Sequence, residues 1–382
     1  MSQLGESRSI VLEQSVACAS AEIASELMST SPNATTESPF LAAAAGRRYL
    51  HTPVWFMRQA GRSLPEYKAI RGDGSILEAI KQPHLAAEIT LQPVRRYGVD
   101  AAVLFSDIVV PPHAVGFGID VAPGTGPVAE NPFRSPQDLL RLRPLEPHSD
   151  LAYVIETVKI LAGELPPSVP LLAFAGAPFT VASYLIEGRP SRTYQNTKRM
   201  IHLEPALWHQ LMERLTQHAV AFIDAQLSAG AQAFQLFDSW AGALSNSDYR
   251  EFVLPHSKNV FQQLRELHPT KPSIHFGIGC DHLLESMYEA GPQIMGLDWR
   301  TSISAARARM GSSLIVQGNL DPALILAGAQ PALAGAERVI KDNAGHPGHI
   351  FNLGHGVDPA TDPTILEDVV AFVHESTRVE QS

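Results

Sequence analysis

Two arginines placed four residues apart, Arg58 and Arg62, flank a glycine in the stretch RQAGR. If the loop turns at Gly61, both guanidinium groups converge on one ligand, because glycine adopts backbone angles that other residues avoid. Arginine is permanently charged and binds a carboxylate through two parallel hydrogen bonds. Two further basic residues, Lys68 and Arg71, follow shortly afterwards. The segment predicts a site for a ligand with several carboxylates, although a surface loop whose arginines pair with nearby acids would give the same pattern.

A lone carboxylate, Asp107, lies between two apolar runs in the sequence FSDIVV. An aspartate in this setting often serves as a buried structural acceptor, and that interpretation stays open here. If Asp107 lies beside a site for a polyanion, it needs a functional explanation. A carboxylate that only repelled the ligand would weaken binding. Asp107 would then hold N–H groups of the ligand or stabilise positive charge that develops on it.

Three further polar side chains follow apolar runs in a similar way: Tyr184, Ser239 and His355. Tyr184 carries a hydroxyl on an apolar body, a combination that also suits a half-buried core residue. Ser239 lacks the G-x-S-x-G surroundings of a hydrolase nucleophile, so we interpret it as a hydrogen-bonding group or an ordinary strand-end serine. His355 stands between two glycines, where it would donate to a carboxylate, move a proton or simply face water.

The elements that must position these residues are short apolar runs of the chain. Nearly continuous apolar runs of this kind are typical of parallel strands that are buried on both faces. The chain contains eight of them: Val54–Met57, Ala101–Phe105, Leu171–Phe174, Ala233–Phe237, Ser273–Phe276, Ile294–Leu297, Ser313–Val316 and Ile350–Leu353.

The stretches between the runs have helical periodicity, most clearly Pro205–Leu227, which begins with a proline suited to a first turn. Ser247–Leu267 behaves similarly, and Pro322–Ile340 does so less regularly because Gly328 and Pro331 interrupt it. Alternating strands and helices predict an α/β fold, a single (β/α)8 TIM barrel with catalytic groups at the carboxyl ends of its strands. A doubly wound open sheet is the alternative, but the first run is not followed by a glycine-rich phosphate loop.

The catalytic barrel domain predicted in this way covers residues 47–378, with no internal repeat or linker. Residues 1–46 form an N-terminal extension rich in Ser, Ala, Thr and Glu, which we expect to be flexible or partly helical. Its glutamates argue against an organelle transit peptide, because such peptides are basic and poor in acids.

Charge and cysteine content narrow the function classes. With 29 Lys and Arg against 39 Asp and Glu, the formal charge is −10, so binding to a nucleic-acid backbone is not expected. No apolar run approaches the roughly 20 residues that span a membrane, and we expect a cytoplasmic protein. Cys18 and Cys280 form no CxxC pair and indicate free thiols in a reducing compartment.

His346, His349 and His355 are close in sequence, but without helix-borne spacing or a nearby cysteine they do not predict a metal site.

Together these features resemble the uroporphyrinogen decarboxylase family over roughly residues 47–378. The two most specific stretches are PVWFMRQAGRSLPEYKAIR at Pro53–Arg71 and FAGAPFTVASYLIEG at Phe174–Gly188. Shorter motifs agree in order and placement, namely FSDI, FDSWAG, QGNLDP and NLGHG. One departure is Ser63, which follows RQAGR where an aromatic residue is common in the family, and it concerns fine contacts rather than the reaction.

The resemblance implies a (β/α)8 barrel that works as a homodimer without a cofactor. It also implies an activity, the removal of carbon dioxide from the four acetate side chains of uroporphyrinogen III to give coproporphyrinogen III. Carried over by motif, the catalytic candidates are Asp107, Arg58 and Arg62, and Asp107 would hold the pyrrole N–H groups. The residues implied to contact the substrate are Arg58, Gln59, Ala60, Gly61, Arg62, Arg71, Asp107, Tyr184, Ser239 and His355.

The chemistry of the pyrrole ring agrees with that activity. Protonation of the ring at carbon creates a cation that accepts the electrons of the breaking bond, so no metal or pyridoxal group is needed. Asp107 would stabilise this cation while it holds the macrocycle. The proton donor stays open between an arginine, a water and a neighbouring group, because arginine has a pKa above about 12.

Two rival functions follow from the same residues. A zinc-dependent corrinoid or thiol methyltransferase of the same barrel superfamily would need a His-x-Cys strand and a later cysteine, whereas this chain has His275-Phe276-Gly277 there. A non-enzymatic porphyrinogen-binding protein would keep the arginines but would have little need of Asp107.

Overall fold

The computed structural model describes residues 37–61, 63–72, 75–122 and 124–379 of the chain. From Ser38 onward the chain forms one compact unit, and its first helix, α1 (Pro39–Ala44), buries Phe40 completely in the core. The folded unit therefore starts before residue 47, where the sequence predicts its start. The apolar sequence PFLAAA accounts for the difference, because its side chains gain stability by leaving water. The flexibility predicted for the extension falls on residues 1–36, which lie outside the described residues.

Nine strands form in the described part of the chain: β1 (Ala102–Val103), β2 (Ile119–Ala122), β3 (Gly126–Ala129), β4 (Leu171–Gly176), β5 (Ala233–Asp238), β6 (Ser273–Gly277), β7 (Ile294–Gly296), β8 (Ile315–Gln317) and β9 (His349–Ile350). Seven of them make a parallel sheet in the order β1-β4-β5-β6-β7-β8-β9. The other two, β2 and β3, form an antiparallel hairpin that the sequence does not predict. The hairpin strands are short, β2 contains Asp120 and β3 contains Gly126 and Pro127, so they lack the continuous apolar run of the barrel strands.

The ring of strands is closed by the segment around Val54, which forms a single parallel bridge to Phe351. The Trp55 N–H donates to the Phe351 carbonyl at 3.3 Å, and on the other side the Asp100 N–H donates to the Val54 carbonyl at 2.8 Å. The barrel therefore has eight parallel segments, which we call staves: the seven strands of the parallel sheet and the segment at Val54. The predicted (β/α)8 class is confirmed. The first stave is a bridge rather than a regular strand because the Val54 N–H donates to the Asp100 carboxylate, at 2.7 Å, instead of a strand carbonyl.

The helices that cover the barrel mostly follow the predicted periodicity. After α1 they are α2 (Pro65–Arg71), α3 (Ile76–Ile80), α4 (Pro83–Tyr97), α5 (Val110–Ala114), α6 (Pro147–Asp150), α7 (Ala152–Glu164), α8 (Pro178–Glu187), α9 (Gln195–Leu203), α10 (Pro205–Ala229), α11 (Asn246–Phe252), α12 (Leu254–Leu267), α13 (Leu284–Glu289), α14 (Ile303–Met310), α15 (Pro322–Leu326), α16 (Ala329–Asn343) and α17 (Pro363–Ser376). Short 3-10 turns lie at Pro136–Arg141, Ala241–Ala243 and Asp281–Leu283. Among the described residues, no helix combines the length and apolar character required to cross a membrane.

Two predicted helices are each divided in the structure. The stretch Ser247–Leu267 becomes α11 and α12, which are separated at Val253. Pro255 lies in the first turn of α12, the helical position where its missing N–H does no harm. The stretch Pro322–Ile340 divides at Gly328, whose φ of 109° lies outside the helical range.

Candidate active site

A cleft opens at the carboxyl ends of the barrel strands, where catalytic groups of this fold lie. Its inner part has a volume of about 850 Å³ and meets open solvent. Three phenylalanines from neighbouring strand ends, Phe105, Phe174 and Phe237, line it. The rings of Phe174 and Phe237 pack edge to face, with centroids 5.5 Å apart. The inner cleft thus offers an apolar, aromatic surface to the body of a ligand.

The outer part of the cleft has a volume of about 1500 Å³ and shares Arg58 and Asp107 with the inner part. Lys68 and Arg71 of helix α2 line it, and so does the β2–β3 hairpin. Both volumes include space that is open to solvent. The shared residues join the two parts, and the cationic side chains of Lys68 and Arg71 lie at the outer level.

Arg58 lies where the two parts of the cleft meet, and its backbone is left-handed, with φ of 62°. A residue other than glycine in this region carries about 1–3 kcal/mol of strain, which the surroundings must hold. The preceding residue, Met57, is fixed on both sides: its N–H donates to the Asn352 side chain at 3.1 Å, and its carbonyl accepts from Val357 at 2.8 Å. Such strain at a cleft residue is typical of a functional position.

Polar side chains inside the barrel support the segment that leads to Arg58. The Trp55 indole donates to Gln317 at 3.0 Å, and Gln317 donates to Gln235 at 2.8 Å. The Gln235 amide in turn donates to the Met57 sulfur at 3.4 Å. A connected buried network of this kind fixes one arrangement of the backbone.

The side chain of Gln59 is not among those that line the cleft. The side chain is fully buried, accepts from the Phe56 N–H at 2.9 Å and donates to the Ala101 carbonyl at 3.0 Å. It joins the RQAGR loop to the start of the next stave. The physical reason is the reversal of the chain at Arg58, which turns the following side chain inward to the backbone groups left without a strand partner.

Ala60 and Gly61 line the inner cleft, and Gly61 has the positive φ, 123°, that the sequence predicts for the turn. A Cβ at Gly61 would meet the Tyr67 and Phe105 rings at 3.8 to 3.9 Å, so the loop passes directly over these two aromatic rings. Arg62, the second predicted arginine, lies outside the described residues. The structure thus describes one arginine of the pair.

Asp107 is the single carboxylate among the described residues that line the two parts of the cleft. It follows β1, and one of its carboxylate oxygens accepts the Val109 N–H at 3.0 Å. Burial is the main factor that raises the pKa of Tyr184, the Asp107 charge raises it further, and the Arg58 charge opposes the rise. These three side chains therefore interact electrostatically across the cleft, although Arg58 and Asp107 come from two separate loops and Tyr184 from helix α8.

Tyr184 is positioned by an aromatic stack. Its ring lies 3.8 Å from the Trp240 ring, centroid to centroid, and Tyr194 packs on the same tryptophan at 4.9 Å. The Thr180 hydroxyl donates to the buried Asp238 carboxylate at 2.8 Å and accepts from the backbone N–H of Trp240 at 3.2 Å. This arrangement also fixes the strand end that carries Ser239, which lines the inner cleft.

His355 borders Arg58 but does not itself line either part of the cleft. Burial lowers the pKa of His355, and the Arg58 charge lowers it further, so the ring is neutral. Its Nδ1 accepts the Gly356 N–H at 2.7 Å, which leaves the ring proton on Nε2. Gly356 makes room for the arginine, because a Cβ there would lie 2.5 Å from Cδ of Arg58.

The residues that sequence reasoning missed are the aromatic lining and the hairpin wall. Phe105, Phe174 and Phe237 each end a predicted strand, so their place at the strand ends was available as a signal. The hairpin had no such signal. Of the three histidines weighed as a metal cluster, His349 is buried and bonds the Gly318 carbonyl at 2.8 Å, whereas His346 is exposed. These side chains do not converge on one point.

Fold and cleft together define a class of protein, a (β/α)8-barrel enzyme with a basic, aromatic-lined cleft at its strand ends. Comparison with known sequences gives the family. A family model described as uroporphyrinogen decarboxylase (URO-D) matches residues 35–376. The chain belongs to the uroporphyrinogen decarboxylase family.

Curated relatives support the same family. The uroporphyrinogen decarboxylase of Salinispora tropica is 53% identical over 346 residues, covering 91% of this chain and 92% of the relative. That of Mycolicibacterium vanbaalenii is 52% identical over 349 residues, covering 89% and 98%. The predicted resemblance is therefore confirmed.

Solved structures agree on the fold. A methyltransferase from Methanosarcina mazei superposes with a TM-score of 0.72 at 19% identity, covering 88% of this chain and 98% of that one. A B12-independent methionine synthase from Shewanella sp. W3-18-1 gives a TM-score of 0.51 at 13% identity, covering 90% and 96%. At these identities the likeness shows the barrel fold alone and lends no weight to the methyltransferase alternative.

Proposed function

We propose that this chain removes the four acetate carboxyl groups of uroporphyrinogen III as carbon dioxide, giving coproporphyrinogen III in haem biosynthesis. The observation that carries this proposal is the position of Asp107, the single carboxylate among the described residues of a cleft lined by cationic, apolar and hydroxyl-bearing side chains. A carrier of polyanions would gain nothing from a carboxylate there, because like charges repel. A macrocycle whose pyrrole N–H groups face Asp107, and whose carboxylates face the cationic side chains, explains why the cleft carries both negative and positive charge.

The cationic residues grip the rim of the substrate. Arg58, Lys68 and Arg71 lie at the outer level of the cleft, where the acetate and propionate groups of the macrocycle end. Arg62 joins them on the strength of its motif. Arginine suits this task because its planar fork binds a carboxylate bidentately. This arrangement supplies local positive charge within a chain whose formal charge is −10.

Asp107 acts on the ring. Addition of a proton to the ring carbon next to the one that bears the acetate gives a cation delocalised over the ring. The electrons of the bond to the carboxylate flow into that cation as carbon dioxide leaves, which forms a double bond from the acetate-bearing ring carbon to the exocyclic carbon. A proton then adds to the remaining exocyclic carbon to make a methyl group, and the ring proton is lost. The net change consumes one proton per acetate. Asp107 stabilises the cationic ring by charge and by hydrogen bonds to its N–H groups.

The remaining cleft residues orient the substrate. Tyr184 keeps its proton because burial raises its pKa, so its hydroxyl donates a hydrogen bond rather than accepting a proton as a base. Ser239 offers a second hydroxyl at the inner level. His355 supports Arg58 and presents a neutral ring. Ala60 and Gly61 shape the wall beside the aromatic residues, and Gln59 holds their loop in place.

We also infer a cytoplasmic homodimer that needs no cofactor. The oligomeric state and the location rest on the family resemblance, and the absence of a cofactor rests on the ability of the protonated pyrrole to accept electrons. Sedimentation equilibrium of the purified chain tests the dimer, and a sedimenting mass equal to one chain would contradict it.

The test of the proposed chemistry replaces Asp107 by Asn and, separately, by Ala. Loss of the charge that stabilises the ring cation should lower kcat by about 100-fold or more, as for removal of one electrostatic catalytic group. The assay separates the products by their number of carboxylates after incubation with reduced uroporphyrinogen III. Substrate binding and the melting temperature serve as controls for the fold. Turnover near wild type in both variants would remove Asp107 from the mechanism.

A further inference from the structure

Three side chains converge at the end of the barrel opposite the cleft: His51, Asp100 and His374. Asp100 lies two residues before β1, and His51 lies three residues before Val54. His374 belongs to the last helix, α17. Three distant parts of the chain thus meet at the amino ends of the strands, and the proposed decarboxylation uses none of these residues.

The ligand atoms of this trio lie close together. His51 Nε2 is 2.8 Å from one oxygen of Asp100, and His374 Nε2 is 2.7 Å from the other. All three ligand atoms fall within 4.8 Å of one another. The two imidazole rings face each other with centroids 3.9 Å apart. Each Nε2 atom therefore points at a different oxygen of the same carboxylate.

The trio is shielded but can be reached from solvent. The side chains of His51, Asp100 and His374 keep 17%, 9% and 24% of their exposure, respectively. An ion can therefore enter, and one coordination position remains for water. Burial favours a higher pKa for Asp100, but hydrogen bonds from His374 and His51 outweigh it and hold the pKa below its usual range. The carboxylate is ionised, as a metal ligand must be.

The surrounding backbone holds the trio in place independently of the histidines. The Val54 N–H donates to the Asp100 carboxylate at 2.7 Å, the kind of outer hydrogen bond that orients a metal-binding carboxylate. The Thr52 N–H donates to the Thr377 hydroxyl at 2.8 Å, which joins the segment after His51 to the end of α17. The arrangement is therefore already built before any ion binds.

Two imidazole nitrogens and one carboxylate oxygen are a common set for a zinc-class divalent ion. Tetrahedral coordination at about 2.0–2.1 Å puts ligand atoms about 3.3 Å apart. The two nitrogens lie 2.7 and 2.8 Å from different oxygens of Asp100. For one of these oxygens to join both nitrogens around an ion, its nitrogen contact must open by about 0.5 Å and the carboxylate must turn toward the second nitrogen, which side-chain rotations supply. The proton that each Nε2 shares with the carboxylate moves to Nδ1, so that both lone pairs face the ion.

We propose that His51, Asp100 and His374, with one water, form a binding site for a divalent transition-metal ion of the zinc class at the amino end of the barrel. The ion ties the first stave, the start of β1 and the last helix together. Its effect is on stability, because binding to the folded state alone shifts unfolding.

The experiment uses the untagged full-length chain after removal of metal by a chelator. Zn²⁺ is titrated by calorimetry and by thermal unfolding, and Co²⁺ by visible absorption. We expect one ion per chain, a Tm rise of about 5 °C at 100-fold excess over Kd, and the d–d bands of four-coordinate cobalt with nitrogen and oxygen ligands.

Two matched variants locate the ion. His374→Gln keeps an N–H that can donate to Asp100 but is a poor metal ligand, and it should weaken binding at least 100-fold. His346→Gln alters an exposed histidine that is not one of the three proposed ligands, and this variant should bind as wild type. No binding by the wild-type chain, or binding that His374→Gln leaves unchanged, would overturn the proposal. Turnover of uroporphyrinogen is measured alongside and is expected to be the same with and without the ion.

Discussion

Replacing Gly356 by alanine tests whether the cleft depends on the position of Arg58. Gly356 has no left-handed φ, so alanine brings no backbone penalty of its own. Its Cβ would lie 2.5 Å from Cδ and 2.8 Å from Cγ of Arg58, in the middle of the side chain rather than at its flexible end. The substitution thus displaces the arginine while leaving its charge in the protein.

The expected size of the effect follows from these distances. Carbon atoms in contact normally lie about 3.5–4.0 Å apart, so Cδ of Arg58 must move by about 1 Å. A displacement of that size at a catalytic contact can cost about 10²-fold. Loss of a hydrogen bond to a charged group costs about 1.5–3 kcal/mol, which corresponds to about 10- to 150-fold in rate. We expect kcat/KM of Gly356→Ala to fall within that range.

Initial rates of coproporphyrinogen formation measure the effect, and calorimetry checks the fold. Gly163→Ala is the matched control, because Gly163 lies in helix α7 with open space around it. It should leave the rate unchanged. In an Arg58→Ala background, adding Gly356→Ala should not weaken substrate binding further, since two changes that act through one side chain are not additive. An unchanged kcat/KM at an unchanged Tm, or a full effect without Arg58, would refute the reasoning.

Three other substitutions probe separate parts of the structure. Tyr184→Phe keeps the stack on Trp240 but removes the hydroxyl, so kcat/KM should fall about 10-fold; an unchanged value would exclude a hydroxyl contact. Gln59→Leu leaves a buried N–H and a buried carbonyl without partners, so the free energy of unfolding should fall by about 2–4 kcal/mol in urea titrations, and equal stability would contradict the bracing role. Hydrogen bonds hold the pKa of Asp100 in the folded protein below its value in the unfolded chain, which is about 3.9. The stability that they contribute is fully present above the unfolded pKa and is lost as the pH falls through the folded pKa. Urea unfolding between pH 3 and 6 should therefore show a steeper acid loss for wild type than for Asp100→Asn, and parallel pH profiles would argue against this coupling.

The barrel was largely predictable because its strands are continuous apolar runs. Leu171–Phe174 and Ala233–Phe237 extend by only a residue or two in the structure. The run Val54–Met57 shrinks to a bridge, because hydrogen bonding to the Asp100 side chain depends on a partner 46 residues away. The start of the fold at Ser38 was missed because a Ser- and Thr-rich flank hides a short apolar helix.

The positions of the candidate site residues could be predicted where these residues follow the carboxyl ends of strands. Arg58, Asp107 and Ser239 come from three strand ends, and the barrel topology alone brings them to one cleft. The inward turn of Gln59 was not predictable, because it depends on the left-handed backbone of the residue before it. The hairpin wall was likewise hidden, since its position follows from tertiary packing rather than from periodicity.

The measurement that tests the central claim most directly is incubation of the purified chain with reduced uroporphyrinogen III, followed by separation of the products by their number of carboxylates. The account predicts loss of four carboxylates and accumulation of coproporphyrinogen III, without added metal or cofactor. Recovery of the starting compound with all of its carboxylates, from a folded protein that binds it, would contradict the proposed function.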